Sequence, residues 1–203
     1  MFVESPLTII LILLNVLVSG YALWFDTALL DRLSFRPAQV LKNREYYRLL
    51  SAGFVHAGPG HLAFNMLTLF FFGPALERLL GPVGFLVVFF VSEFAAHGLT
   101  LWWQRNSHAY AAVGASGAIS GVLLSFCLFR PFDQIGLFFA IWIPAWLFAV
   151  GFLGFSVYAM SRRDNPNMGG IAHEAHLGGA IGGLIATLLV EPAALSIFLR
   201  QIM

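Results

Sequence analysis

Residues 61–103 read HLAFNMLTLFFFGPALERLLGPVGFLVVFFVSEFAAHGLTLWW, two long apolar stretches on either side of a Gly81-Pro82 pair. A membrane span needs about 20 mostly apolar residues to cross about 30 Å of hydrocarbon, and 61–80 and 83–103 both meet that requirement. Glycine followed by proline punctuates helices, so the stretch reads as a helical hairpin in a membrane. The same criterion applied to the flanking sequence picks out 7–25 before it and 113–129, 135–159 and 173–190 after it. The expected fold is therefore an all-α membrane protein, a bundle of six transmembrane helices forming a single domain over 1–203.

Composition agrees. Of 203 residues, 59% are hydrophobic and 10% charged, against about one quarter charged in a soluble domain, and the mean hydropathy is +0.83. Eleven basic residues against 10 acidic leave a net charge of +1, with no basic footprint for nucleic acid; the expected surroundings are lipid. The single cysteine, Cys127, has no intramolecular disulfide partner and is assigned to packing. The run 7–25 follows Met1–Pro6 without a basic n-region or a small-residue cleavage site, so it reads as a retained first span.

The connection over 26–60 is too long and too mixed to be a plain linker. Its Leu33, Phe35, Val40, Leu41, Tyr46 and Tyr47 suit a folded, partly embedded loop lying in the interface, with basic residues toward water or headgroups. Arg32, Arg36, Lys42, Arg44, Arg48, Arg105, Arg162 and Arg163 fall on the face of this loop, against Arg78, Arg130 and Arg200 on the other. Excess Lys and Arg mark the cytoplasmic side, which would put the loop in the cytoplasm.

Polar residues inside spans are costly and point to partners or cavities. They cluster in three places. His61 and Asn65, four apart and so on one helical face, open the second span, with His56 just before them across Gly58-Pro59-Gly60. Ser116 opens the fourth span, flanked by Gly114, Ala115 and Gly117, where an early helical position also offers unpaired backbone N–H groups for a developing oxyanion. His176 opens the sixth, followed by Gly179 and Gly183. If that glycine face packs on Gly117 and Gly121, small residues let the backbones approach closely and bring histidine and serine within hydrogen-bond reach. A Ser–His pair is the minimum for nucleophilic catalysis. Taken singly, Ser116 reads as packing and Asn65 as interhelical glue. Together, at same-side ends of alternating helices, the three clusters face one compartment.

These residues resemble the rhomboid family of intramembrane serine proteases. The resemblance rests on His56, His61 and Asn65, on Gly114-Ala115-Ser116-Gly117, and on Ala175-His176 followed by Gly179 and Gly183; Tyr47-Arg48, Glu77 and Gly81 add to it. It implies that Ser116 is the nucleophile, that His176 is the general base without a third acidic member, and that His61, Asn65 and the Ser116 backbone N–H hold the oxyanion. His56, Gly114, Gly117, Gly179 and Gly183 would support that site, and no metal or cofactor is implied. The implied substrates are transmembrane segments of other proteins, and the implied location is a bacterial inner membrane with the site opening away from the cytoplasm. That orientation runs against the charge count, and the family expectation is followed.

Two departures stand out. Tyr47 replaces a more usual tryptophan, and Ser120 occupies a position where an aromatic residue often stacks on the catalytic histidine. The Ser120 hydroxyl either reaches toward the dyad or bonds back to the carbonyl of residue 116, the preferred reading. His173 rivals His176 but lacks glycines three and seven residues beyond it. The stretch Ser161 to Ile171, with Asp164, Asn165, Pro166, Gly169 and Gly170, suits a flexible cap, with His173 and Glu174 at its border. Phe138, Phe139, Trp142 and Trp146 beside Pro144 read either as a lateral gate or as lipid-facing anchors. Glu93 and His97 form an (i, i+4) pair, read as a structural pair rather than a proton relay because no other span offers a matching carboxylate. Three rival functions compete with the protease: a metalloprotease, which lacks an HExxH pair; a catalytically silent helix-binding relative; and a transporter, which lacks paired broken helices.

Overall fold

The computed structural model describes residues 4–137, 141–161 and 172–203. Helix α1 (Pro6–Trp24) has proline in its first turn and buries Thr8, Leu11, Asn15, Ser19 and Ala22 along one face. A helix start leaves four backbone N–H groups without intrahelical acceptors. Here buried Glu77 supplies acceptors for two of them, Leu7 N (3.0 Å) and Thr8 N (2.8 Å), and also accepts from Thr8 Oγ1 (2.7 Å), a favourable place for a carboxylate at the positive helix end.

The loop after α1 folds into α2 (Thr27–Leu33), α3 (Pro37–Asn43) and α4 (Arg48–Ser51), then a 3-10 turn (Ala52–Phe54). Its organiser is Arg48, which donates to Asp31 O (3.0 Å), Ser34 O (2.7 Å) and Glu45 Oε2 (2.6 Å). Hydrogen bonds from Asn43 and then Arg48 hold the Glu45 carboxyl below its ordinary range. Of the six apolar positions read as suiting a folded, partly embedded loop, two form its interior. Phe35 and Val40 are wholly buried in a small core with Ala52 and Tyr110, whereas Leu41, Tyr46 and Tyr47 are exposed.

Helix α5 runs from Pro59 to Gln104 but is interrupted at Gly81, whose φ of 72° and ψ of 166° lie outside helical space. Glycine reaches positive φ without penalty, and Pro82 restricts its predecessor to non-helical backbone. The chain reverses there. In a straight helix Pro59 and Glu93 would be about 51 Å apart, yet the Glu93 carboxyl packs on Gly53 and His97 Nδ1 contacts Leu49 O at 2.8 Å. The 61–80 and 83–103 hairpin is thus present as two arms of one element.

Helix α6 (Ser116–Phe129) is buried on almost every side, so its even apolarity matches a central position. It starts three residues later than the expected 113, because Gly114 has a positive, non-helical φ of 111° and helical geometry begins at Ser116. The expected fifth span, 135–159, is corrected more substantially. Its first part is an antiparallel hairpin, β1 (Gln134–Leu137) with β2 (Ile141–Pro144), in register Gln134↔Pro144 and Ile135↔Ile143. Helix α7 (Ala145–Ser161) begins only after Pro144. Ile135, Ile141, Trp142 and Ile143 favour strand over helix, and Pro144 disfavours helix at the residue before it. The expected cap and Phe138 and Phe139 lie outside the described residues, apart from Ser161 at the end of α7.

Helix α8 (His173–Val190) coincides with the expected sixth span. A short amphipathic helix, α9 (Ala194–Ile202), follows it. By length and apolar composition α1, α5 and α8 are long enough to cross a membrane, and α6 and the Ala145–Tyr158 part of α7 are shorter apolar helices.

Candidate active site

Helix α6 has 14 residues, a length of about 21 Å against about 30 Å of hydrocarbon. Its first residue stands beside the first turn of α8. That first residue is Ser116. Its Oγ lies 2.9 Å from His176 Nε2, in the first turn of α8. With the imidazole hydrogen on Nδ1, the Ser116 hydroxyl donates to Nε2, the arrangement in which a base can take the proton.

Glycines make that approach. A Cβ on Gly179 would fall 2.0 Å from Gly117 O, and one on Gly183 would fall 2.4 Å from Gly121 Cα. Ser116–His176, Gly117–Gly179 and Gly121–Gly183 therefore run down a single seam where the α6 and α8 backbones touch. The seam continues into a polar lock in which Thr187 Oγ1 donates to Ser125 Oγ (2.7 Å) and Ser125 Oγ lies 3.1 Å from Gly183 O. A Cβ on Gly121 would also meet Ser92 Oγ of α5 at 1.9 Å and Gly179 O at 2.7 Å, so α5 and α8 both close on this position.

His56 joins three elements. Its Nε2 accepts from Ala115 N (3.4 Å), its Nδ1 lies 2.8 Å from Ser19 Oγ, and Ser19 Oγ lies 3.0 Å from Phe54 O. With Nε2 accepting, the ring is neutral with hydrogen on Nδ1, and the chain runs Ala115 N–H to His56 to Ser19 to Phe54 O. His61 sits edge-on to His56 with ring centroids 5.0 Å apart. A Cβ on Gly114 would meet His61 Cε1 at 2.5 Å, so a side chain at 114 would be strained by the positive φ and would have to displace the His61 ring. Asn65 is buried, and its Nδ2 donates to His61 O at 3.0 Å; one further amide hydrogen remains on that nitrogen.

Ser120 Oγ donates to Ser116 O at 2.6 Å, the preferred of the two readings. The aromatic partner of His176 comes from another helix instead: the Phe152 ring of α7 stacks on the imidazole at 5.8 Å and 26°. His173 does not meet Ser116; it contacts the edges of Phe155 and His176. Glu93 Oε1 is 3.5 Å from His97 Nδ1, and Phe35 stacks on the His97 ring at 4.5 Å. A cavity of about 20 Å³, room for about one water, borders Ser116, Gly117, Gly114, Glu93 and His97. Among the described residues no three His, Cys, Asp or Glu side chains are grouped to hold a metal ion.

Sequence reasoning misses Phe152, Ser19, Tyr110 and Gln104. Only Phe152 leaves a trace, as one of a pair with Phe148 at (i, i+4), and nothing in that spacing says which histidine it meets.

A family model described as Rhomboid domain matches residues 43–192. The rhomboid protein YdcA of Bacillus subtilis (strain 168) is 37% identical over 150 residues, covering 72% of this chain and 68% of the relative. Rhomboid protein 1, mitochondrial, of Saccharomyces cerevisiae is 28% identical over 192 residues, 91% of this chain and 54% of the relative. Rhomboid protease AarA of Providencia stuartii is 31% identical over 134 residues, 57% of this chain and 48% of the relative. The chain thus spans about half the length of these last two proteins. Family and apolar helices together make this an integral membrane protein.

Proposed function

Because the chain belongs to the rhomboid family, we propose that it is an intramembrane serine endopeptidase that cleaves transmembrane or juxtamembrane segments of membrane proteins. The observation that carries this is the 2.9 Å contact between Ser116 Oγ and His176 Nε2. Ser116 Oγ attacks the scissile carbonyl while His176 Nε2 takes its proton. The carbonyl oxygen, now negative, is held by the Ser116 N–H, His61 and Asn65. As the carbon–nitrogen bond breaks, the imidazolium returns the proton to the leaving amine. Water then adds to the acyl-Ser116 ester with His176 again as base, releasing the new carboxyl end and restoring Ser116.

In this reading the domain over 1–203 crosses the membrane six times, on α1, the two arms of α5, α6, α7 and α8, with the loop α2–α4 partly embedded at the outer interface. The setting is a bacterial inner membrane, and the site opens away from the cytoplasm. The outward-placed basic loop is compatible with this because Arg48 is turned inward onto Asp31 O and Ser34 O, and Arg32 and Arg36 are paired with Asp26 and Asp31. A glycosylation map of the loop settles orientation.

Labelling of detergent-solubilised protein with a fluorophosphonate tests the core of the proposal. Modification at Ser116 that disappears in His176→Ala supports it, and absence of Ser116 labelling in wild type points to a catalytically silent helix-binding protein instead. Two quantitative outcomes follow from the site. Asn65→Ala loses one oxyanion donor and lowers kcat about 100-fold with KM little changed, since one such donor is worth about 3 kcal/mol. Phe152→Ala removes the ring stacked on His176. An aromatic contact of about 1 kcal/mol then corresponds to about a fivefold slower Ser116 labelling, measured under single-exponential conditions.

A further inference from the structure

Glu174 is two residues from His176 in the first turn of α8 and is 1% exposed. Its Oε1 accepts hydrogen bonds from Tyr110 OH (2.8 Å) and from Gln104 Nε2 (3.0 Å), and both donors are buried. Gln104 is the last residue of α5. Tyr110 lies in the segment that connects α5 to α6 and ends at Ser116. Two residues after Tyr110 that segment is pinned to the α2–α3 loop, where Phe35 and Ala112 exchange two backbone hydrogen bonds of 2.9 and 3.0 Å. Four residues after it, Gly114 N donates to Ala52 O at 2.9 Å.

We infer that Glu174 is a positioning residue of the proposed serine protease: it locks the segment leading into Ser116 to the helix turn that carries His176, and so sets the dyad distance. The glycine seam controls how near α6 and α8 lie, and the Glu174 contacts add a side-chain tie at the open end of that seam. Residues two apart on a helix point about 200° apart, so Glu174 faces Tyr110 and α5 while His176 faces Ser116. A fixed Glu174 therefore fixes the rotation of that first turn and the direction of the imidazole. Two donors converge on one buried carboxyl oxygen, and their burial makes loss of either partner costly.

The inference rests on the protease reading for its catalytic consequence, but the lock itself has a readout that does not need activity. Hydrogen exchange in micelles is measured on peptides covering 108–116 and 173–178. Tyr110→Phe, which deletes one hydroxyl and spares the fold, is expected to speed exchange in 173–178, and Glu174→Ala to speed it in 108–116, with 60–80 unchanged. Turnover of a transmembrane substrate is expected to fall about tenfold in Tyr110→Phe and about 100-fold in Glu174→Ala, in kcat and not in KM. Glu174→Gln keeps an oxygen for both donors and restores kcat to within about threefold of wild type. Exchange that changes only in the segment bearing the substitution overturns the lock, whether or not the protein is a protease. Coupled exchange with unchanged kcat overturns the positioning role, as does a loss of kcat in Glu174→Gln equal to that in Glu174→Ala. Wild type without Ser116 labelling defeats the protease reading and with it the catalytic half of the inference, while the exchange data still decide the lock.

Discussion

Ser116→Ala and His176→Ala are each expected to reduce cleavage of a transmembrane substrate in reconstituted vesicles by about 10⁴-fold or more. The size follows from chemistry at a single atom. In the proposed mechanism alanine at 116 leaves no nucleophile, and the remaining oxyanion donors have no tetrahedral adduct to hold. Alanine at 176 leaves the Ser116 hydroxyl without the acceptor now 2.9 Å away, and a hydroxyl that keeps its proton is a poor nucleophile at neutral pH. In serine proteases generally, nucleophile and base act as a unit, so losing either costs nearly as much as losing both. The double variant is therefore expected to match the singles instead of multiplying them. Both alanine variants should keep the wild-type melting temperature within a few degrees, because the close backbone contacts of the seam at Gly117–Gly179 and Gly121–Gly183 remain. Cleavage by either single variant at a rate near wild type removes the dyad from consideration.

Gly179→Val is expected to leave little folded, labellable protein. A Cβ at 179 would stand 2.0 Å from Gly117 O and 2.6 Å from Gly117 C. Those are backbone atoms of a buried helix, so no rotamer change relieves the overlap, and α8 must move away from α6. Overpacking of a tight core costs about 3 kcal/mol or more when the backbone has to yield, and here the displacement also parts Ser116 from His176. Gly98→Ala is the matched control. It lies in the second arm of α5 with open space where its Cβ would be, and replacing a helical glycine by alanine stabilises by about 0.5–1 kcal/mol. The contrast is read as melting temperature in detergent together with the fraction of protein labelled at Ser116. Gly179→Val that melts and labels like Gly98→Ala would show that α6 and α8 are not in backbone contact.

Much of this site is legible in the amino-acid sequence because its signals are local. Ser116 between small residues, His176 with glycines at regular helical intervals, and the (i, i+4) pair His61 and Asn65 each occupy a few consecutive turns, and a helix converts such spacing directly into a shared face. The glycine seam is of the same kind. Only glycine admits the contact between Gly179 and Gly117 or between Gly183 and Gly121, so its periodic recurrence in two spans signals where they meet. The break at Gly81 is equally local, being a property of one glycine–proline pair.

The pairing of Gln134–Leu137 with Ile141–Pro144 is hidden for a different reason. A short apolar run has no polar residues to reveal its period, so strand and helix look alike in it, and Asp133 O and Pro131 O decide where α7 starts by accepting from Ala145 N and Trp146 N. Phe35 and Val40 likewise read as interfacial until the loop closes on Arg48 and encloses them.

Contiguous residues suffice to establish that the chain lives in a membrane as a helical bundle, and which serine, histidine and glycines stand at the same ends of its spans, because apolar length and helical spacing belong to the chain itself. It takes the packed bundle to show that Phe152, rather than residue 120, supports the His176 ring, and that Glu174 reaches Tyr110 and Gln104. Those contacts join side chains 24, 64 and 70 positions apart, and no local periodicity relates residues that meet only once three helices have packed.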